Sequence, residues 1–241
     1  MSTVRLQVVL ARSGIASRRK AASLIESGRV SVNGTPVRER GFRVDTSKDR
    51  IEFDGNLLRF REKHNYYLLN KPAGVISTAS DEKNRKSVID CVKSRSRRIY
   101  PVGRLDKDTK GLIMLTDDGE LCYRLTHPRF ELERVYEARV KGVVDNRALA
   151  RIRKGVVVEG KRVSPDRITV RKAGTGFTVL SIIVKEGRKR EVRKMFEAVG
   201  CEVRELVRTR FGPLKLSGLA EGEYRPLTKE EIAKLKRSVK L

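Results

Sequence analysis

The chain has 241 residues, 39% of them hydrophobic, which suffices for one large domain or for one medium and one small. It carries 55 Lys and Arg against 30 Asp and Glu, a formal net charge of +25. No run approaches the roughly 18–20 apolar residues of a membrane span, and Cys91, Cys122, Cys201, His64 and His127 are too few and too scattered for a disulfide framework, a zinc centre or a Ser–His–Asp triad.

Surface ion-pair networks raise both signs of charge together, so the imbalance points instead to a polyanionic partner. Nucleic acid is favoured over a membrane surface, because the basic residues are spread along the whole chain and not gathered on one amphipathic helix. Arg5 and Arg12 interrupt the first apolar runs, so no secretory signal is expected and the protein is placed in the cytoplasm. Any chemistry is expected to rest on a carboxylate.

In chain order, Leu6, Val9 and Leu10 recur at helical spacing until Ser13-Gly14. Ser17 stands where a helix N-cap belongs, ahead of Ala21, Ala22, Leu24 and Ile25, and Gly28 reads as the stop. Val30 and Val32 alternate with polar residues into Asn33-Gly34, a tight-turn signal. Arg12, Arg18, Arg19, Lys20 and Arg29 gather in and around the second helix. Cations opening a helix oppose its dipole, a small local cost consistent with a phosphate-binding role. The composition turns polar and linker-like around residues 61–65, giving expected domains of 1–62 and 63–241.

Strands are expected at 66–69, 100–102, 112–116, 135–141, 156–158, 168–170 and 178–185. Residues 81–98 read as an exposed segment with a weak helix around 88–92. Asp117-Asp118-Gly119-Glu120 opens a helix that His127-Pro128 closes. Val192, Met195, Phe196 and Val199 share one face of a helix over about 189–199, and Thr228 with Glu231 forms a capping-box pattern for a last one. The expected class is α+β with a largely antiparallel sheet.

The stretch from Gly103 to Leu112 sets Asp106 and Asp108 among Arg104, Lys107 and Lys110, in a polar loop between apolar strands. From the residues alone it reads equally as a structural turn with surface ion pairs or as a functional loop carried on rigid strands.

Gly103-Arg104-Leu105-Asp106, with Asp108-Thr109 and Gly111-Leu112, resembles the catalytic motif of the RsuA/RluB-type ribosomal RNA pseudouridine synthases. The resemblance spans nearly the whole chain. Ala16-Ser17-Arg18-Arg19 and the segment from Gly28 to Gly34 are similar to the small N-terminal α-L RNA-binding domain of these enzymes. Asn70-Lys71-Pro72-Ala73-Gly74-Val75, Leu125-Thr126-His127-Pro128-Arg129 and the segment from Glu186 to Phe196 resemble later motifs.

The resemblance implies an α-L domain followed by a synthase domain on a mixed, largely antiparallel sheet with flanking helices, needing no cofactor and no metal. It implies Asp106 as nucleophile, attacking carbon 6 of uracil or the anomeric carbon. It implies Tyr136 as the ring that stacks on the base, Arg193 as the cation paired with the aspartate, and Arg104 as the residue that fills the space a flipped nucleotide leaves. Lys71, in the opening synthase motif, joins Arg12, Arg18, Arg19, Lys20 and Arg29 as an expected RNA contact. Taken singly, Tyr136 reads as a core aromatic and Arg193 as an ordinary surface arginine. The chain departs from the commoner pattern at Lys110, where serine is usual, at Arg134, where lysine often stands, and at Glu191, which replaces glutamine.

The expected substrate is ribosomal RNA, 23S in preference to 16S. No membrane and no obligate protein partner are implied, and a monomer is expected. The rivals are a 16S enzyme and a non-catalytic ribosome-assembly factor, which would have no need of Asp106, Tyr136 and Arg193 together. A glycosidase using Asp106 and Asp108 is disfavoured, since acids two apart in a loop do not secure the opposed geometry of roughly 5–9.5 Å.

Overall fold

The computed structural model describes residues 3–58, 64–93, 98–216 and 218–241. These fall into two compact units, one ending at His64 and one beginning at Asn65. The expected boundary between residues 62 and 63 lies outside the described residues.

In the first unit, α1 (Leu6–Arg12) and α2 (Arg18–Glu26) precede a small antiparallel sheet. Its strands are β1 (Val30–Val32), β2 (Thr35–Val37), β3 (Ile51–Phe53) and β4 (Asn56–Leu57). Leu6, Val9, Leu10, Ala21 and Ile25 bury one face of each helix against Val30, Val32, Val37 and Ile51. The Ser17 hydroxyl accepts from the Lys20 amide at 3.2 Å, so the expected N-cap satisfies one of the helix's orphan donors. Asn33 and Gly34 both adopt positive φ, which suits the tight hairpin turn between β1 and β2.

The second unit is built on a nine-stranded sheet. Its main strands are β5 (Tyr66–Lys71), β6 (Tyr100–Pro101), β7 (Lys110–Thr116), β8 (Arg134–Lys141), β9 (Arg167–Gly174), β10 (Phe177–Val184), β11 (Val203–Phe211) and β12 (Tyr224–Pro226). The order is β9-β10-β8-β11-β7-β5-β12, with β6 beside β7 and Leu214–Lys215 beside β11. Every pairing is antiparallel except β11 with β7, which run parallel.

The β7 run Leu112-Ile113-Met114-Leu115 is fully buried. Leu112 and Met114 join one core cluster with Leu121 and Leu125 of α3 (Gly119–Thr126), whereas Ile113 and Leu115 join another with Leu69 and Leu105. A strand covered on both faces needs a continuous apolar run, and β7 has one. A third cluster packs α4 (Asn146–Lys154) and α5 (Glu191–Glu197) against β8 and β10. The closing helix α6 (Lys229–Ser238) begins at the expected capping box, with both reciprocal bonds formed.

Three local expectations change. Residues 88–91 form hydrogen-bonded turns in place of a helix, because the Asp90 carboxylate takes the Ser87 amide and hydroxyl at 2.7 and 2.8 Å. The helix expected over 189–199 is shorter at both ends, and the left-handed Arg190 (φ +54) sets its start. Strands β11 and β12 and helix α4 are additional to the elements expected from the sequence.

Candidate active site

One cross-strand row carries the site. Lys71 on β5 lies opposite Gly111 on β7, Gly111 opposite Arg208 on β11, Arg208 opposite Tyr136 on β8, and Tyr136 opposite Ile182 on β10. A bulge between Val135 and Tyr136 shifts the β8–β11 register at this point. Such bulges re-aim a side chain near a functional site. Gly111 (φ +104) is forced by the parallel pair, because a Cβ there would stand 2.4 Å from the Arg208 carbonyl oxygen.

Asp106 sits in the loop that enters β7, and that loop is fixed on both sides. The Ser77 hydroxyl accepts from the Leu105 amide at 3.1 Å and donates to its carbonyl at 2.9 Å. The Gly74 amide donates to the Lys107 carbonyl at 2.8 Å. Arg193 Nη2 donates to the Asp108 carbonyl at 3.2 Å. The Asp106 carboxylate, by contrast, has no hydrogen-bond donor and no ion-pair partner among the described residues.

Asp106 and Tyr136 line one cleft of about 630 Å³, together with Arg104, Thr126, Pro128, Arg134, residues 184–192, Leu206, Arg208 and Phe211. Tyr136 packs between two core clusters, which fixes its ring at the cleft wall. Arg104 is exposed and lines the same cleft.

Arg193 is placed differently from expectation. It does not pair with Asp106 and does not line this cleft. Its Nε lies 3.3 Å from the Asp108 carboxylate, an ion contact without hydrogen-bond alignment, and its Nη1 donates to the Val203 carbonyl at 2.7 Å. Arg190 approaches the same carboxylate at 3.2 Å. The two cations hold Asp108 below the usual carboxylate range, although its partial burial pushes the other way. Helix α5 therefore grips the loop two residues beyond the expected aspartate.

Lys71 is also corrected. It is 0% exposed and cannot touch RNA. Its Nζ donates to the carbonyls of Pro72 and Val75 at 2.8 Å and of Lys107 at 3.3 Å, tying the opening motif to the Asp106 loop. Burial depresses this lysine to about 8, against the attraction of acidic neighbours that include Asp108 and Asp106.

Arg208 is a cleft residue that the motifs do not single out, and Arg134, which stands where the family often has lysine, lines the same cleft. Arg208 is 2% exposed, donates from Nε to the Leu112 carbonyl at 2.7 Å, and lies 5.0 Å from the Phe211 ring centre. Arg134 flanks the same ring at 5.6 Å and is held by the carbonyls of Leu132 and Lys185. Burial, then the neighbouring Arg208, lowers the Arg134 pKa. Glu191 lines the cleft too, and burial raises its carboxyl above the usual range. Lys110, at the position where serine is usual, finds Glu205 at 3.0 Å and Glu221 at 3.1 Å.

In the first unit, Arg12, Arg18, Arg19 and Lys20 are exposed, and their side chains have no partner among the described residues. Arg29 is exposed but committed. Its guanidinium forks onto the Asp54 carboxylate and lies 4.8 Å from the Phe53 ring centre. Among the described residues, no group of three or more His, Cys, Asp or Glu side chains is arranged to hold a metal ion.

Comparison with known proteins identifies the family. Residues 65–198 match the family model described as RNA pseudouridylate synthase, and residues 4–51 match the S4 domain. The chain is 44% identical over 236 residues to the ribosomal large subunit pseudouridine synthase B of Bacillus subtilis, covering 96% of this chain and 95% of that one. It is 40% identical to an uncharacterized RNA pseudouridine synthase of Aquifex aeolicus, covering 100% and 97% of the two chains. A crystal structure of a pseudouridylate synthase superposes with a TM-score of 0.65 at 31% identity, over 96% of this chain and 99% of that one. The chain belongs to the RNA pseudouridylate synthase family, with an S4 domain preceding the synthase domain.

Proposed function

We propose that this protein isomerises a uridine of 23S ribosomal RNA to pseudouridine, with Asp106 as nucleophile. The observation that carries the reading is an unpaired carboxylate on a pinned backbone: Asp106 faces a cleft shared with Tyr136 while its neighbours 105 and 107 are hydrogen-bonded in place. The end-to-end similarity to a large-subunit enzyme supports the choice of RNA.

In this reading the target uridine leaves its stack and enters the cleft, where Tyr136 provides a surface for the ring. Asp106 attacks carbon 6 of uracil or the anomeric carbon of the ribose. The bond from N1 to the sugar breaks, the base turns, and carbon 5 joins the anomeric carbon. The ester to Asp106 is released, carbon 5 loses its proton and N1 gains one, so the reaction is redox-neutral. A fixed loop keeps the carboxylate within reach of both atoms, which is the positional part of catalysis. Arg193 acts at one remove, by holding Asp108 and the loop. Arg104 fills the vacated stack, and the exposed cations of the first unit meet phosphates.

Tritium release from carbon-5-labelled 23S and 16S transcripts tests the proposal. Release is expected from 23S RNA with the wild-type chain, and none with Asp106→Asn, whose RNA affinity stays essentially unchanged. Near-normal turnover by Asp106→Asn would remove the nucleophile assignment, and release from 16S RNA alone would reverse the choice of substrate.

A further inference from the structure

The segment from Tyr123 to Phe130 supplies two residues to the cleft, Thr126 and Pro128, yet its most exposed side chains take no part in the reaction described above. Tyr123 is 48% exposed on α3. Its ring lies 5.1 Å from that of His127, tilted by 56°, and His127 lies 6.4 Å from Phe130. Arg129 is exposed and sits 4.6 Å from the Phe130 ring centre and 5.8 Å from that of Tyr123, with no carboxylate partner among the described residues. The nearest acid on α3, Glu120, is already taken by Arg124 at 2.8 Å. The His127 Nδ1 accepts the Arg129 amide at 3.2 Å, which fixes that ring against the short helical turn Pro128–Phe130.

An arginine over an exposed aromatic ring is mildly favourable, and together the two present a flat face for a base and a cation for the phosphate beside it. From Tyr123 to Thr126 is just under one helical turn, roughly 5 Å along the axis. That is the scale of one nucleotide step from the cleft. We propose that Tyr123, His127 and Arg129 form a stacking platform for an unpaired nucleotide of the substrate RNA adjacent to the uridine held in the cleft. Tyr123 takes the base, and Arg129 takes the neighbouring phosphate while keeping the tyrosine ring in place. The inference rests on the proposed RNA substrate and adds a second point of recognition to it.

The test is equilibrium binding of the full chain to an unmodified 23S transcript at low and high salt, for wild type, Tyr123→Ala, Tyr123→Phe and Arg129→Ala. Tyr123→Ala is expected to weaken binding on the order of tenfold, by the same factor at both salt concentrations, as lost stacking requires. Tyr123→Phe keeps the ring and binds like wild type. Arg129→Ala weakens binding most at low salt and reduces the salt slope by up to about 0.9, the share of one phosphate. Wild-type affinity in both alanine variants overturns the platform and leaves the patch to a protein partner. Arg129→Ala, on an exposed side chain, keeps the question open to refutation should Tyr123→Ala melt early. Because binding needs no turnover, the two proposals fail separately. This binding pattern without tritium release sinks the reaction and keeps the platform, whereas tritium release with unaltered affinities sinks only the platform.

Discussion

The two units use the same residue types for opposite purposes. In the first, Arg12, Arg18, Arg19 and Lys20 stand in solvent without partners, free to meet phosphates. In the second, Lys71, Arg134, Arg193 and Arg208 are buried and spend their donors on backbone carbonyls. A net charge of +25 is therefore not a count of RNA contacts. Part of it is internal scaffolding that shapes the cleft and its loop.

The buried side of this contrast is the more fragile. Gly111→Ala forces a Cβ into the Arg208 backbone at positive φ, and about 3–5 kcal/mol of stability is expected to be lost, read from chemical denaturation. Lys71→Met strands three carbonyls that now accept from Nζ and is expected to cost about 1–3 kcal/mol. Lys71 also carries a pH signature. Its pKa in the fold, about 8, lies below the ordinary 10.5, so between those values the unfolded chain binds the proton more readily. Its contribution to stability therefore grows as pH rises from about 8 to about 10.5, and the wild-type stability should climb more steeply there than that of Lys71→Met. Equal slopes would remove the buried charge from this account.

On the exposed side the effects are read in binding. Arg18→Ala with Arg19→Ala should leave the melting temperature nearly unchanged while weakening RNA affinity and lowering the salt slope by about 1.4–1.8. Arg29→Ala should change that slope least, because its guanidinium is already paired with Asp54. A slope change for Arg29→Ala as large as for Arg18→Ala would erase the distinction between committed and free cations.

How far the sequence could be read follows from the same contrast. The Ser17 cap, the Asn33-Gly34 turn, the run Leu112 to Leu115 and the Thr228–Glu231 capping box are local signals, and each formed as expected. Strand β11 was hidden because Arg208 occupies an inward position, so Val-Arg-Glu-Leu-Val-Arg-Thr-Arg-Phe does not alternate cleanly. Helix α4 buries little beyond Leu149 and Ile152 among five basic or polar neighbours, and its signal is the Asp145 cap together with the short apolar stripe Ala148, Leu149 and Ile152. In the site, Asp106, Tyr136 and Arg104 line one cleft. The partner of Arg193 was not legible, since two loop carboxylates two residues apart are distinguished only by how α5 is seated. Lys71 was misplaced because a lysine in a basic chain reads as surface until its carbonyl partners are known.

The parallel pairing of β7 with β11 also sets an order of events during synthesis. The loop bearing Asp106 leaves the ribosome long before Val207 and Arg208, which must lie beside Lys110 and Gly111 to complete the sheet, and Tyr224 to Pro226 must still arrive to close its far edge against β5. Contacts so distant in the chain close slowly and late. The nascent polypeptide thus carries Asp106, the proposed nucleophile, on an unfinished sheet until Tyr224 to Pro226 have joined β5.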